Sequence, residues 1–172
     1  MENETTYFDR AKFDDVWQRV LASGTNPADI GVTANPGNAP GGVDDAAQLR
    51  DFMDDEANDA QIYCTLASLC AGSARRELLA IAADERCHLK HLRARYFILT
   101  GETYTPPSAC PLIYSVSQTL RRKYTGELEG AAAYRSAAAA TSDMTLRDIY
   151  LAHAEDEARH SKIIGCLIEN MM

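Results

Sequence analysis

The chain has 172 residues, a formal charge of −8 and a pI of about 4.9, a balance that argues against a nucleic-acid or anionic-membrane partner. Hydrophobic residues make up 46% of it, which supports one domain with a real core and argues against global disorder. No apolar run approaches the ~18 residues of a membrane span, and the acidic N-terminal stretch has no apolar signal region, so the expected location is the cytoplasm.

Residues 5–22 carry Phe13, Val16, Trp17, Val20 and Leu21 at three- and four-residue spacing, the pattern of a short amphipathic helix. Residues 23–43 hold five of the ten glycines and three of the six prolines and read as a linker or extended strap. Residues 1–43 are thus expected to form an N-terminal helix and Gly/Pro-rich linker, and residues 44–172 the main domain.

From Asp44 onward the pattern is helical. The first long helix is expected from Asp44 to Gly72 and the second from Ser73 to Gly101, each opening on a capping residue type and closing on glycine. Pro106, Pro107 and Pro111 make the next stretch a connector of about 12 residues. A third helix follows from Leu112 to Ser142 and a fourth from Asp143 to the end. No strand pattern of useful length appears. The first two helices, and the last two, are joined by tight turns, so each pair should form an antiparallel hairpin. A connector of about 12 residues reaches about 40 Å when extended, enough to cross a bundle of this helix length. The expected fold is all-α: a ferritin-like four-helix bundle of two antiparallel hairpins joined by a crossover, with an extra N-terminal helix packed outside it through Trp17. Exchange of a hairpin between two chains is the alternative.

The two hairpins carry one pattern twice. Glu56, Ala60 and Tyr63 recur 71 residues later as Glu127, Ala131 and Tyr134; Asp84, Glu85 and His88 recur 72 residues later as Asp156, Glu157 and His160. Each Glu-x-x-His pair shares one helix face, and all four glutamates fall near mid-bundle. The flanking Leu78, Ile81, Leu89, Leu92, Leu151, Ile163, Ile164 and Leu167 leave little room for these positions to face solvent. Four carboxylates in a dry core are too costly alone. Two cations would cancel that charge, and carboxylate with imidazole suits iron or manganese. The five cysteines (Cys64, Cys70, Cys87, Cys110 and Cys166) form no C-x-x-C pair and read as reduced, buried thiols. His153 lies two turns before His160 and reads as a hydrogen-bonded core histidine; His91 reads as solvated. Glu129 sits about 200° round the helix from Glu127 and should face away.

This ligand set is that of ferritin-like di-iron and di-manganese carboxylate proteins, and the segments "EANDAQIY", "DERCHL", "ELEGAAAY" and "DEARH" resemble the di-iron domain of rubrerythrins over residues 45–170. The resemblance implies metal ligands Glu56, Glu85, His88, Glu127, Glu157 and His160. It implies tyrosines Tyr63 and Tyr134 beside the metals, and Asp84 and Asp156 as carboxylates that orient the ligand imidazoles. It implies two irons (manganese being the alternative), reduction of hydrogen peroxide or O₂, and a homodimer. The chain departs from the family twice. Gly130 stands where rubrerythrins carry another glutamate, which would make the two metals more nearly equivalent. The paired C-x-x-C of a rubredoxin module is missing, so an external donor such as a rubredoxin or a reductase is expected. A ferroxidase on the same site, or a bundle used only for assembly or binding, are the other readings.

Overall fold

The computed structural model describes residues 44–108 and 111–171. The expected N-terminal helix, its linker and Cys110 lie outside the described residues. Among those described there are four helices and no strand: α1 (Asp45–Ser68), α2 (Gly72–Thr100), α3 (Val116–Ala140) and α4 (Met144–Glu169). None is long and apolar enough to cross a membrane.

Local chemistry sets the helix ends. Asp44 accepts hydrogen bonds from the amides of Ala46 and Ala47 at 3.2 Å each, and Asp143 accepts from that of Leu146 at 3.0 Å. Both satisfy donors that the first turn leaves orphaned. α1 stops at Ser68, short of the expected Gly72, because the Leu69 and Cys70 amides turn back onto the Leu66 and Ala67 carbonyls. Gly72 instead opens α2, at φ +61°, a left-handed conformation that favours glycine. Gly101, at φ +74°, closes α2 by donating to the Phe97 carbonyl at 2.8 Å. α3 begins at Val116 rather than Leu112, with Ser115 accepting from the Gln118 amide at 3.3 Å. The connector therefore runs over residues 101–115, longer than expected.

The core consists of two apolar clusters. One gathers Leu49, Phe52 and Met53 from the start of α1, Leu92 and Tyr96 from the end of α2, Tyr134 from the end of α3, and Leu146, Ile149 and Tyr150 from the start of α4. The other gathers Tyr63 and Leu66, Leu78 and Ile81, Leu120, and Ile164 and Leu167 from the opposite ends. α1 and α4 thus run one way and α2 and α3 the other, so residues 101–115 cross the length of the bundle. The crossover is tied at both ends. The Tyr104 hydroxyl donates to the Asp54 carboxylate at 2.9 Å beside one cluster, and Ile113 packs on the other. Between the hairpins α2 and α4 approach most closely. α1 and α3 stand apart around a cavity of about 340 Å³.

Candidate metal centre

A polar layer separates the two apolar clusters. Glu56, Glu85, His88, Glu127, Glu157 and His160 are all buried there, none more than 6% exposed. The heptad-like spacing that buries Leu78, Ile81 and Leu92 on α2 also carries Glu85 and His88 inward, and α4 does the same with Glu157 and His160 between Ile149 and Ile164. Glu127 is 1% exposed, while Glu129 is exposed at the cavity rim.

The side chains fall into two groups of four. Glu56, Glu85, His88 and Glu157 each offer a ligand atom within 4.8 Å of the others, and so do Glu85, Glu127, Glu157 and His160. Glu85 and Glu157 belong to both groups. The Nδ1 of His88 lies 3.1 Å from Glu85, 3.3 Å from Glu56 and 3.4 Å from Glu157. The Nδ1 of His160 lies 3.0 Å from Glu85, 3.3 Å from Glu127 and 3.9 Å from Glu157. The far nitrogens are held across the bundle: His88 Nε2 meets Asp156 at 3.1 Å, and His160 Nε2 meets Asp84 at 3.4 Å. A carboxylate on Nε2 fixes the ring and turns Nδ1 inward. The Tyr63 hydroxyl donates to Glu127 and the Tyr134 hydroxyl to Glu56, so each tyrosine serves the glutamate of the other hairpin.

Burial dominates the electrostatics. It pushes Glu56 up to about 8 and Glu157 up to about 10, each opposed by His88. Burial would raise Glu85 and Glu127 too, but the close His160 ring (and, for Glu85, that of His88) outweighs it and holds both below the usual carboxylate range. Burial alone would lower His160 and His88. Glu127 and Glu85 instead lift His160 to about 10, and Glu56 with Asp156 lifts His88 well above the imidazole range. Without metal, burial thus favours protons on Glu56 and Glu157, and the carboxylates favour charged imidazoles, which together lessen the net charge of the layer. Glu85 Oε1, Glu127 Oε2 and His160 Nδ1 are buried and meet only as ion pairs, the His160 nitrogen at 3.0 and 3.3 Å from the two oxygens, without a well-aligned hydrogen bond. All three belong to one group of possible ligands, and buried polar atoms held without good hydrogen-bond geometry are costly. A cation between them would use all three. The donor set has oxygen and imidazole nitrogen but no thiolate, which fits iron or manganese. Cys64, Cys70, Cys87 and Cys166 are free thiols outside it, and against the expected burial Cys64 and Cys166 are exposed and Cys70 and Cys87 half-buried.

Several residues around the centre had no signal in the repeat. Lys123 is 7% exposed; its Nζ lies 2.5 Å from Asp59 and 3.2 Å from Glu127. One repeat earlier stands Phe52, so the pattern does not mark it. Burial pushes Asp59 up to about 6 against the pull of that ammonium. Arg159 contacts both aspartates, Asp156 at 2.6 Å and Asp84 at 3.1 Å, where the first copy has Cys87. His91 is 5% exposed rather than solvated, because α4 covers it and brings His153 Nε2 to 3.4 Å from its Nδ1. The cavity between α1 and α3 reaches Glu56 and Glu157 past Phe52, Asp55, Asp59, Lys123 and Gly130. A Cβ added at Gly130 would sit 3.6 Å from the Glu157 carboxylate, in ordinary van der Waals contact. No protein-family model, no curated protein and no solved structure matches the chain.

Proposed function

We propose that the chain is a ferritin-like, rubrerythrin-like di-iron oxidoreductase that reduces hydrogen peroxide with electrons from an external donor. The observation that carries the reading is the pair of four-residue ligand groups sharing Glu85 and Glu157. Glu56 and His88 would hold one ion, Glu127 and His160 the other, and the two shared glutamates would touch both. Two bound ferrous ions would supply the two electrons that cleave the O–O bond of peroxide.

The chain's own residues do the rest. Asp156 and Asp84 hold the imidazoles in one tautomer. Tyr134 and Tyr63 orient the terminal carboxylates. The cavity admits a small molecule to Glu56 and Glu157, while the two apolar clusters keep bulk water from the remaining sides. One observation favours a second reading. Asp55, Asp59 and Glu129 line that cavity, and an acidic approach suits Fe²⁺ as substrate for a ferroxidase.

Stopped-flow mixing of the reduced, iron-loaded protein with peroxide and with O₂ tests both. The expected result is oxidation by peroxide faster than that of free Fe²⁺, with one peroxide consumed per two electrons and turnover sustained by added rubredoxin or reductase. Reaction no faster than free Fe²⁺ with either oxidant would overturn the enzymatic reading. Oxidation of many Fe²⁺ per chain with retained mineral would put the ferroxidase in its place.

A further inference from the structure

The repeat that builds the centre breaks at one buried position beside it. His153 is 2% exposed, and its counterpart 72 residues earlier is Ile81, fully buried among apolar side chains. An imidazole in place of an isoleucine is costly to bury unless its polar atoms are used.

Its surroundings match those of the two ligand imidazoles. One ligand atom each from Glu56, His88 and His153 lie within 4.8 Å of one another. The His153 ring stacks on His88, centroids 4.1 Å apart and 27° between planes. The Nε2 of His153 meets His91, just as the Nε2 of His88 meets Asp156 and that of His160 meets Asp84. A ring nitrogen of His153 thus lies near a carboxylate and an imidazole while Nε2 has a partner in His91, and a partner on one nitrogen is how metal-ligating histidines are held. Among the described residues the other half of the centre groups no second imidazole with its glutamates. There, Lys123 stands 3.2 Å from Glu127, so an ammonium already competes for that carboxylate.

We infer that His153 is a further metal ligand, giving the ion at the Glu56–His88 end a second imidazole position that the Glu127–His160 end lacks. The inference rests on the reading of the layer as a two-metal centre. It makes the two ends unequal, against the near-equivalence that Gly130 implies by resemblance. Among the described residues the Glu56 end has more nitrogen and no lysine or arginine on its carboxylate, so it binds a nitrogen-preferring divalent ion more tightly and fills first.

Anaerobic titration of the metal-free protein with Co²⁺, followed by calorimetry and visible absorption, tests this. The wild type should take two ions per chain with unequal affinities. His153→Phe, which keeps a ring to stack on His88, should weaken the tighter ion by tenfold or more, change the absorption of the first equivalent, and leave the weaker ion unaltered. Circular dichroism checks folding, and His153→Gln decides in the same way if the Phe variant does not fold. Wild-type affinities and absorption in the folded variant would overturn the ligand role while leaving the two-metal centre standing, as would equal weakening of both ions. A wild type that takes up fewer than two ions would instead sink the two-metal reading, and this inference with it.

Discussion

Glu127 and Glu129 stand two residues apart on one helix and face opposite ways, one in the buried layer and the other at the exposed cavity rim. Helical angle alone separates them, and so do the partners: Glu127 receives the Tyr63 hydroxyl and lies 3.3 Å from His160. Glu127→Ala is expected to lower bound metal by at least tenfold in affinity, while Glu129→Ala stays within about twofold of wild type, both read by metal analysis after anaerobic loading. The reverse outcome would mean that α3 is rotated about its axis relative to the structure described. Residues of this kind were legible in the sequence because the chain writes them twice. The repeat could not mark Lys123, Arg159 or His153, whose counterparts are Phe52, Cys87 and Ile81. Each takes its meaning from a neighbour on another helix: Lys123 from Asp59, Arg159 from the two aspartates, His153 from His88 and His91. A single chain read along its length carries no signal for such cross-helix pairs.

The helices themselves were readable to within a few residues, and the differences lie where a turn competes with a helix end. The approach to α3 is one case: a serine cap at Ser115 shortens the helix and lengthens the crossover. The junction before α4 does more than cap. Asp143 accepts from the Leu146 amide and pairs with Arg95 near the end of α2, tying the two hairpins together at that end. Burial would raise the Asp143 carboxyl, but the hydrogen bonds from Arg95 and Leu146 outweigh it and hold it below its ordinary 3.8. A depressed folded-state pKa stabilises above the unfolded value and loses that contribution as pH falls through the folded one. Asp143→Ala should therefore cost about 1–2 kcal/mol at pH 7 as a lost cap, with little added by the partly exposed ion pair. The difference from wild type should shrink as pH falls below about 3.8. Asp143→Asn, which can still cap, should recover most of the loss at neutral pH. Urea unfolding at pH 7 and pH 3 measures it, and an undiminished difference at pH 3 would refute the ionic part of the account.

Across the whole molecule, two apolar clusters enclose one polar layer, and this arrangement sets how stability and metal binding are linked. The clusters draw on all four helices and would hold the hairpins together alone. The layer between them works against this: it buries four carboxyl groups and two imidazoles and holds Glu85 Oε1, Glu127 Oε2 and His160 Nδ1 only in ion pairs without good hydrogen-bond geometry. Protons on Glu56 and Glu157 relieve the charge but cannot satisfy those atoms. The shared glutamates lie on α2 and α4, one from each hairpin, so an ion bound to Glu85 and Glu157 is also a crosslink between hairpins. Ligands that bind only the folded state stabilise by mass action, about 2.7 kcal/mol for each site at a free concentration one hundred times Kd. Anaerobic Fe²⁺ or Mn²⁺ at that concentration should raise the Tm of the metal-free protein by several degrees, and a chelator should reverse it. Glu85→Gln, close in shape but a weaker ligand, should fold and lose most of the rise. Replacing Leu69, an exposed side chain just past the end of α1, by alanine should keep the rise in full. A wild-type Tm indifferent to both metals would mean that the buried layer is a proton-balanced structural feature, and the metal centre proposed for it would have to be abandoned.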